Sequence, residues 1–187
     1  MLGETRNNYE VAVFANGCFW CTEAVFLSLK GISMVTSGYS GGTIPQPTYE
    51  QVSSGNTGHA ECIKIEFDAS SISYDELLAV FFNTHNPTTL NRQGNDVGTQ
   101  YRSVIFYTNE IQKEKARTLI AELNESKAYD MPVVTEVMPL REFYSAEEYH
   151  AQYYAKHSNQ SYCELVIAPK LEKLQKQFTN LLKVSGN

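Results

Sequence analysis

The chain has 187 residues, 42% of them hydrophobic and 12% aromatic, with a formal net charge of −6. That length suits one domain with a sizeable core, and the composition is globular rather than disordered. No stripe of Lys or Arg favours a nucleic-acid partner, no apolar run is long enough to span a bilayer, and "MLGETRNNYE" lacks an apolar leader core, so a cytoplasmic address is expected.

Tyr9 to Ala15 (YEVAVFA) is apolar on both faces, the pattern of a central strand. Asn16-Gly17 breaks it, and a helix is expected from Cys18 to Lys30, with Trp20, Ala24 and Leu27 on one face and Gly31 as its stop. ISMVTSGY reads as a second strand, and a polar loop runs from Ser40 to about Gly58, where Asn56, Pro45 and Pro47 supply turn chemistry. HAECIKIEF alternates strictly, with Glu61, Ile63, Ile65 and Phe67 on one face and Cys62, Lys64 and Glu66 on the other.

Ser73-Tyr-Asp-Glu76 is a capping box opening a helix to about Thr84, which Asn86-Pro87 ends. After the loop NRQGNDVGT, QYRSVIFY is a fourth strand opened by Tyr101. A polar-faced helix is expected over Glu110 to Ser126, then a strand at VVTEVM, then a second capping box from Ser145 to Glu148 leading a helix to about His157. Pro169 starts a C-terminal helix ending near Leu182, in which Lys170, Lys173 and Lys176 alternate with Leu171, Leu174 and Phe178, so it should dock by its apolar stripe. His85, His150 and His157 fall on or near helix ends and read as surface or capping residues.

The first six elements run β-α-β-β-α-β. The expected fold is therefore α+β, a two-layer sandwich with a split-βαβ (ferredoxin-like) core and extra C-terminal helices and tail. No repeat or linker divides it, so residues 1–187 read as a single catalytic domain, with a core over about 9–167 and a terminal helix over about 169–182.

Four cysteines, Cys18, Cys21, Cys62 and Cys163, are no disulfide scaffold in a cytosolic chain; they are metal-binding, catalytic or inert. Cys18-x-x-Cys21 and His59-x-x-Cys62 have ligand-like spacing for zinc, but His59 and Cys62 differ by an odd number and point to opposite strand faces. A thioredoxin-style reading needs only a cysteine at a helix start, where the helix dipole and unpaired N–H groups favour a thiolate on Cys18.

Glu61 adds to this. It shares a face with three apolar residues, and burial would raise its pKa and make it a proton donor near neutral pH. Tyr39 ends the second strand before Gly41-Gly42, Tyr101 follows a Gly-rich loop, and the central strand pair would bring those loops toward the first helix. A helix-start thiol, a neutral carboxylic acid, phenol donors and an aromatic pair suit a substrate with a polarised oxygen and a small apolar group.

"GCFWC", "GYSGG", "PTYEQV", "TGHAE", "NRQGNDVGTQYRSVIF" and "QSYC", in that order over roughly Val11 to Cys163, resemble the A-type peptide methionine sulfoxide reductases. The resemblance implies reduction of the S epimer of methionine sulfoxide, free or in proteins. It matches Cys18 to the nucleophile, Phe19 and Trp20 to the pocket for the terminal methyl, Glu61 to the acid at the sulfoxide oxygen, Tyr39 and Tyr101 to its phenol partners and Asp96 to the pocket's polar network. It further implies a Cys18 sulfenic acid that condenses with a second cysteine to a disulfide, which thioredoxin reduces. Cys163 matches a recycling cysteine; Cys21 stands where the commonest pattern has glycine, so either could resolve; Cys62 matches no catalytic position.

No bound cofactor or metal is implied, the reducing equivalents coming from thioredoxin, and the chain is expected to act as a monomer with no nucleic-acid or membrane partner. The competing readings are a CxxC dithiol-disulfide oxidoreductase and a non-catalytic Cys/His zinc-binding module.

Overall fold

The apolar run at the start of the chain forms β1 (Tyr9–Asn16), and it lies mid-sheet, as a strand buried on both faces must. The computed structural model describes residues 8–184; residues 1–7, which carry most of the segment read for a leader, lie outside the described residues. The remaining elements follow as α1 (Phe19–Leu27), β2 (Ile32–Ser40), α2 (Tyr49–Ser53), β3 (Ala60–Asp68), α3 (Tyr74–Asn83), β4 (Arg92–Gln93), β5 (Asp96–Val97), β6 (Ser103–Tyr107), α4 (Glu110–Glu125), β7 (Glu136–Pro139), β8 (Phe143–Ser145), α5 (Tyr153–His157) and α6 (Ala168–Gln177). Among the described residues no helix is long and apolar enough to cross a membrane.

The architecture is α+β. One sheet has six strands in the order β7-β6-β1-β3-β2-β8, with every neighbouring pair antiparallel except β6 and β7. Its two edge strands, β7 and β8, are joined by only Leu140, Arg141 and Glu142. Four such links reach at most about 15 Å, whereas a flat sheet of this width would measure about 24 Å across. The sheet is therefore curled until its edges approach, which closes a small second core of Val13, Ala15, Cys62, Val104 and Phe106 against Met138, Leu140 and Phe143. The larger core lies on the other face, where Phe14, Ile63, Ile65, Phe67 and Ile105 meet Phe26 of α1, Leu77 and Phe81 of α3, and Ala116 of α4.

Local chemistry explains most of the element boundaries. Gly17, at φ +103°, takes a backbone conformation that L side chains rarely adopt, and turns the chain from β1 into α1. The Ser73–Glu76 capping box forms as expected: Glu76 N–H donates to Ser73 Oγ at 3.1 Å, and Ser73 N–H to Glu76 Oε2 at 2.8 Å. The polar loop after β2 holds a helix that the sequence reading passed over, α2, opened by a reciprocal Thr48–Gln51 box of the same kind. The loop before β6 likewise contains the β4–β5 hairpin, and Tyr101 ends a 3-10 turn, Thr99–Tyr101, rather than opening the strand.

Ser145 does not cap a helix. It ends β8, paired with Gly38, and the chain then makes a 3-10 turn at Glu148–His150 before the short α5. The C-terminal helix docks through its stripe, with Leu174 buried and Leu171 and Phe178 packed beside it, but it ends at Gln177 and is preceded by a π turn over Cys163–Ile167.

His85 is buried, not a surface or capping residue. Its Nδ1–H donates to the Phe81 carbonyl at 2.6 Å, so its Nε2 must accept from Ser103 Oγ at 2.8 Å. Burial holds its pKa down to about 3, against about 6.5 in the unfolded chain. Between those values only the unfolded state takes the proton, so stability should fall as pH drops below about 6.5, by up to about 1.4 kcal/mol per unit. Urea unfolding of wild type and His85→Leu between pH 4 and 7 checks this: the variant should lose most of that slope, and an unchanged slope would refute the assignment.

Candidate active site

The first turn of α1 meets the start of β3 at one carboxylate. Cys18 is the N-cap of α1 and supplies no side-chain cap; instead the Phe19 N–H, among the first unpaired donors of the helix, donates to Glu61 Oε2 at 3.1 Å. Glu61 is 1% exposed on the apolar face of β3. Burial outweighs the helical N–H and, with the nearby charges of Asp96 and Cys21, lifts its pKa to about 8. It is a neutral carboxylic acid at pH 7.

The thiols gather next to it. Cys18, Cys21 and Cys163 share one buried nest with Ile167, walled by Trp20, Tyr101, Tyr153 and Tyr162. Cys21 Sγ lies 3.5 Å from Tyr162 Oη, and the Tyr162 hydroxyl donates to Asp96 Oδ2 at 2.8 Å. Cys163 is 0% exposed. The π turn holds it beside the other two thiols.

Ionisation within the nest is shared. A hydrogen bond from Cys18 draws the Cys21 thiol down to about 7, with Lys170 and Tyr162 adding to the effect and burial opposing it. Burial, first, and then Cys21 and Glu61 push Cys18 well above the usual thiol range. The helix start, which the sequence offers as the reason for a Cys18 thiolate, is only one influence among these. The two sulfurs titrate as one unit that releases its first proton near neutral pH and holds the second tightly.

Tyr39 pairs directly across the ladder with Glu61, is 0% exposed, and has its hydroxyl 3.4 Å from Glu147 Oε1. Tyr101 packs on the thiol nest, within reach of the charges of Glu61, Cys18 and Asp96; burial above all raises both phenols far above their usual range, so both remain donors. Phe19 is buried at 1% exposure beneath the site, packed on Tyr39, Tyr49 and His150, whereas Trp20 is half-buried and forms the wall.

Several residues of the site were not singled out from sequence. His150 is buried, not a surface group, and its Nδ1 accepts the Trp20 Nε1–H at 3.0 Å. Tyr153 stacks on the same indole, ring centroids 3.7 Å apart and planes 5° from parallel. Tyr49 of α2 packs on His150 at 4.6 Å. The available signal is the aromatic density of "YHAQYYAKHSNQSYC".

Two residues of the zinc reading lie elsewhere. His59 has both ring nitrogens on backbone: Gly42 N–H donates to Nδ1 at 3.0 Å and Nε2 meets the Ile44 carbonyl at 2.7 Å. That approach requires glycine, since a Cβ on Gly42 would stand 2.4 Å from His59 N. Cys62 lies in the second core, 3.6 Å from the Gly38 carbonyl, and burial raises its thiol pKa. Among the described residues no group of three or more His, Cys, Asp or Glu could hold a metal ion.

The chain is 55% identical over 172 residues to the peptide methionine sulfoxide reductase MsrA of Acinetobacter baumannii, covering 92% of this chain and 98% of that one. It is 54% identical over 175 residues to the MsrA of Saccharolobus solfataricus, covering 94% and 98%. Among solved structures it is similar to reduced Mxr1 from Saccharomyces cerevisiae, with a TM-score of 0.76 at 28% identity over 86% of this chain and 92% of that one, and to methionine sulfoxide reductase A of Corynebacterium diphtheriae, with a TM-score of 0.72 at 31% identity over 82% and 77%. The model of the peptide methionine sulfoxide reductase family matches residues 10–182, and the chain, which carries the thiol nest and its acid within that span, belongs to this family of oxidoreductases.

Proposed function

We propose that this chain reduces the S epimer of methionine sulfoxide, free or in proteins, to methionine. The observation that carries the reading is the bond from Phe19 N–H to a neutral Glu61, which sets a proton donor against the thiol at the head of α1. Sulfoxide sulfur is a poor electrophile until its oxygen is protonated or firmly hydrogen-bonded, so acid and thiolate must act on one substrate together. Glu61 supplies the proton, Tyr39 and Tyr101 hold the oxygen, and Trp20 with Phe19 encloses the methyl and keeps water out. Asp96, bonded to Tyr162, lines the polar side of the pocket.

In the first step the sulfoxide oxygen passes to Cys18, two electrons pass from its sulfur to the substrate, and methionine leaves behind a sulfenic acid. A second thiol then attacks Cys18, forming a disulfide and releasing water. We read Cys21 as that thiol and Cys163 as the next. Cys21 shares its ionisation with Cys18, and Cys163 is the third thiol of the nest, close enough to Cys21 that a charge there raises its pKa. Exchange gives a Cys21–Cys163 disulfide and frees Cys18, and a thioredoxin dithiol reduces the pair, becoming a disulfide itself. Mxr1 of Saccharomyces cerevisiae has been solved in complex with Trx2.

The strand order β6-β1-β3-β2, antiparallel throughout, supports a split-βαβ core, and we take the chain as one catalytic domain acting as a monomer.

The test is a dithiothreitol-driven assay on the separated S and R epimers, followed by disulfide mapping after one equivalent of substrate. Turnover of the S epimer alone is expected, with Cys18–Cys21 accumulating in Cys163→Ser and Cys21–Cys163 in wild type. Equal use of both epimers, or reduction of protein disulfides in place of sulfoxide, would overturn the reading. Normal thioredoxin-driven turnover by Cys21→Ser would remove the relay and leave Cys163 as sole resolving thiol.

A further inference from the structure

Glu23 lies three residues beyond Trp20 on α1 and is 2% exposed. Its carboxylate makes no bond within the thiol nest. Instead Oε1 accepts the N–H of Gln152 at 3.1 Å, and the next N–H along the chain, that of Tyr153, lies near enough to favour the carboxylate's charged form. Gln152 stands at φ 54°, a left-handed conformation that costs a side-chain-bearing residue energy, and it opens α5 with no side-chain cap from its own segment. The acceptor that meets the N–H at this bend comes from α1, not from the bend's own segment.

The residues on either side of this bend are the two that grip the indole. His150 precedes it and accepts the Trp20 Nε1–H; Tyr153 follows it and stacks on the ring face. We propose that Glu23 is a positioning residue: by tying the 150–153 bend to the helix that carries Trp20, it fixes the indole and so the shape of the pocket for the substrate's methyl group. This rests on the reading that Trp20 walls that pocket. Helix α1 thus presents both the ring and the anchor for the ring's clamp. Without the carboxylate, the Gln152 N–H loses its partner, and the strained Gln152 conformation loses what holds it.

Trp20 is the only tryptophan of the chain, so its fluorescence reports the clamp independently of turnover. Glu23→Ala should increase the acrylamide quenching of Trp20 emission and raise KM for methionine sulfoxide on the order of tenfold, with sulfenic acid formation at saturating substrate changed by less than about threefold. Glu23→Gln, whose amide oxygen still accepts an N–H, should restore both readouts to near wild type. Glu23→Asp, one methylene short of the bend, should shift both as Glu23→Ala does, and it carries the test if the alanine variant fails to fold. Unchanged Trp20 quenching in the alanine or aspartate variant overturns the proposal, as does altered quenching with an unchanged KM. Absence of sulfoxide turnover in the wild type would instead defeat the functional reading, and the quenching would still report whether Glu23 sets the clamp.

Discussion

Cys18→Ser is expected to abolish reduction of methionine sulfoxide whether dithiothreitol or thioredoxin is the reductant. The reason is geometric before it is chemical. Of the two α1 thiols, Cys18 caps the helix beside the Glu61 carboxyl, while Cys21 turns toward Tyr162 and Cys163. In the proposed reaction substrate oxygen meets the Glu61 proton and substrate sulfur meets the nucleophile, and Cys18 directly precedes the residue whose N–H holds Glu61. Its high pKa is no obstacle, because Cys18 and Cys21 titrate as one unit and the pair's single negative charge is available to either sulfur.

A serine hydroxyl at that position is a far weaker nucleophile at neutral pH and cannot form the sulfenic acid. Single-turnover release of methionine checks this, with residual activity expected below the few-per-cent level, roughly the scale on which another thiol would be detected. Release at a rate approaching wild type would identify Cys21 as the attacking sulfur and reverse the roles. Alkylation kinetics of wild type should show one thiolate appearing near pH 7 and no second one until well above it.

Position along the strands was legible in the sequence wherever one period dominated. The strict alternation of HAECIKIEF put Glu61 on the same face as Ile63, Ile65 and Phe67, and all four are buried there. The two-sided run of β1 marked it as central, and the Ser73 box marked the start of α3. What the sequence concealed was set by partners far along the chain. Ser145-x-x-Glu148 satisfies a helix start locally, yet Ser145 pairs with Gly38 on β2, where the missing Cβ leaves room for the Phe143 ring. That pairing ends the strand at the residue which would have been the cap, and long-range pairing outweighs a cap worth about 1 kcal/mol.

His150 gave no sign of burial, because its partner Trp20 is 130 residues away. The ionisation of Cys18 was hidden for a related reason: the helix-start rule counts the dipole but neither the depth of the nest nor the second thiol that shares the charge. Tyr49 was within reach, since Thr48 and Gln51 form the same box that located α3, but the Gly- and Pro-rich surroundings masked it.

Glu61→Gln should keep the fold and slow the sulfoxide step by about two to four orders of magnitude, the usual worth of a positioned general acid. The fold survives because an amide oxygen accepts the Phe19 N–H as a carboxyl oxygen does. The chemistry does not, because an amide has no proton to give. The pH profile separates these roles. In wild type the reductive step should rise as the thiol pair ionises near 7 and fall as Glu61 loses its proton near 8, giving a narrow bell. The glutamine variant should retain the acid-side rise and lack the alkaline fall.

Stability provides an independent check with a fixed sign. The native state holds the Glu61 proton up to about pH 8, whereas the unfolded chain releases it near 4.3. The contribution of Glu61 is thus complete below about pH 4 and declines as pH rises to 8, by at most about 1.4 kcal/mol per unit. Glu61→Gln should therefore be the more stable protein at pH 9 relative to its standing at pH 5, as read by urea unfolding. A variant with wild-type pH dependence in both rate and stability would mean that Glu61 is ionised in the folded protein. The proton for the sulfoxide oxygen would then have to come from Tyr39 or Tyr101, the two phenols that flank it.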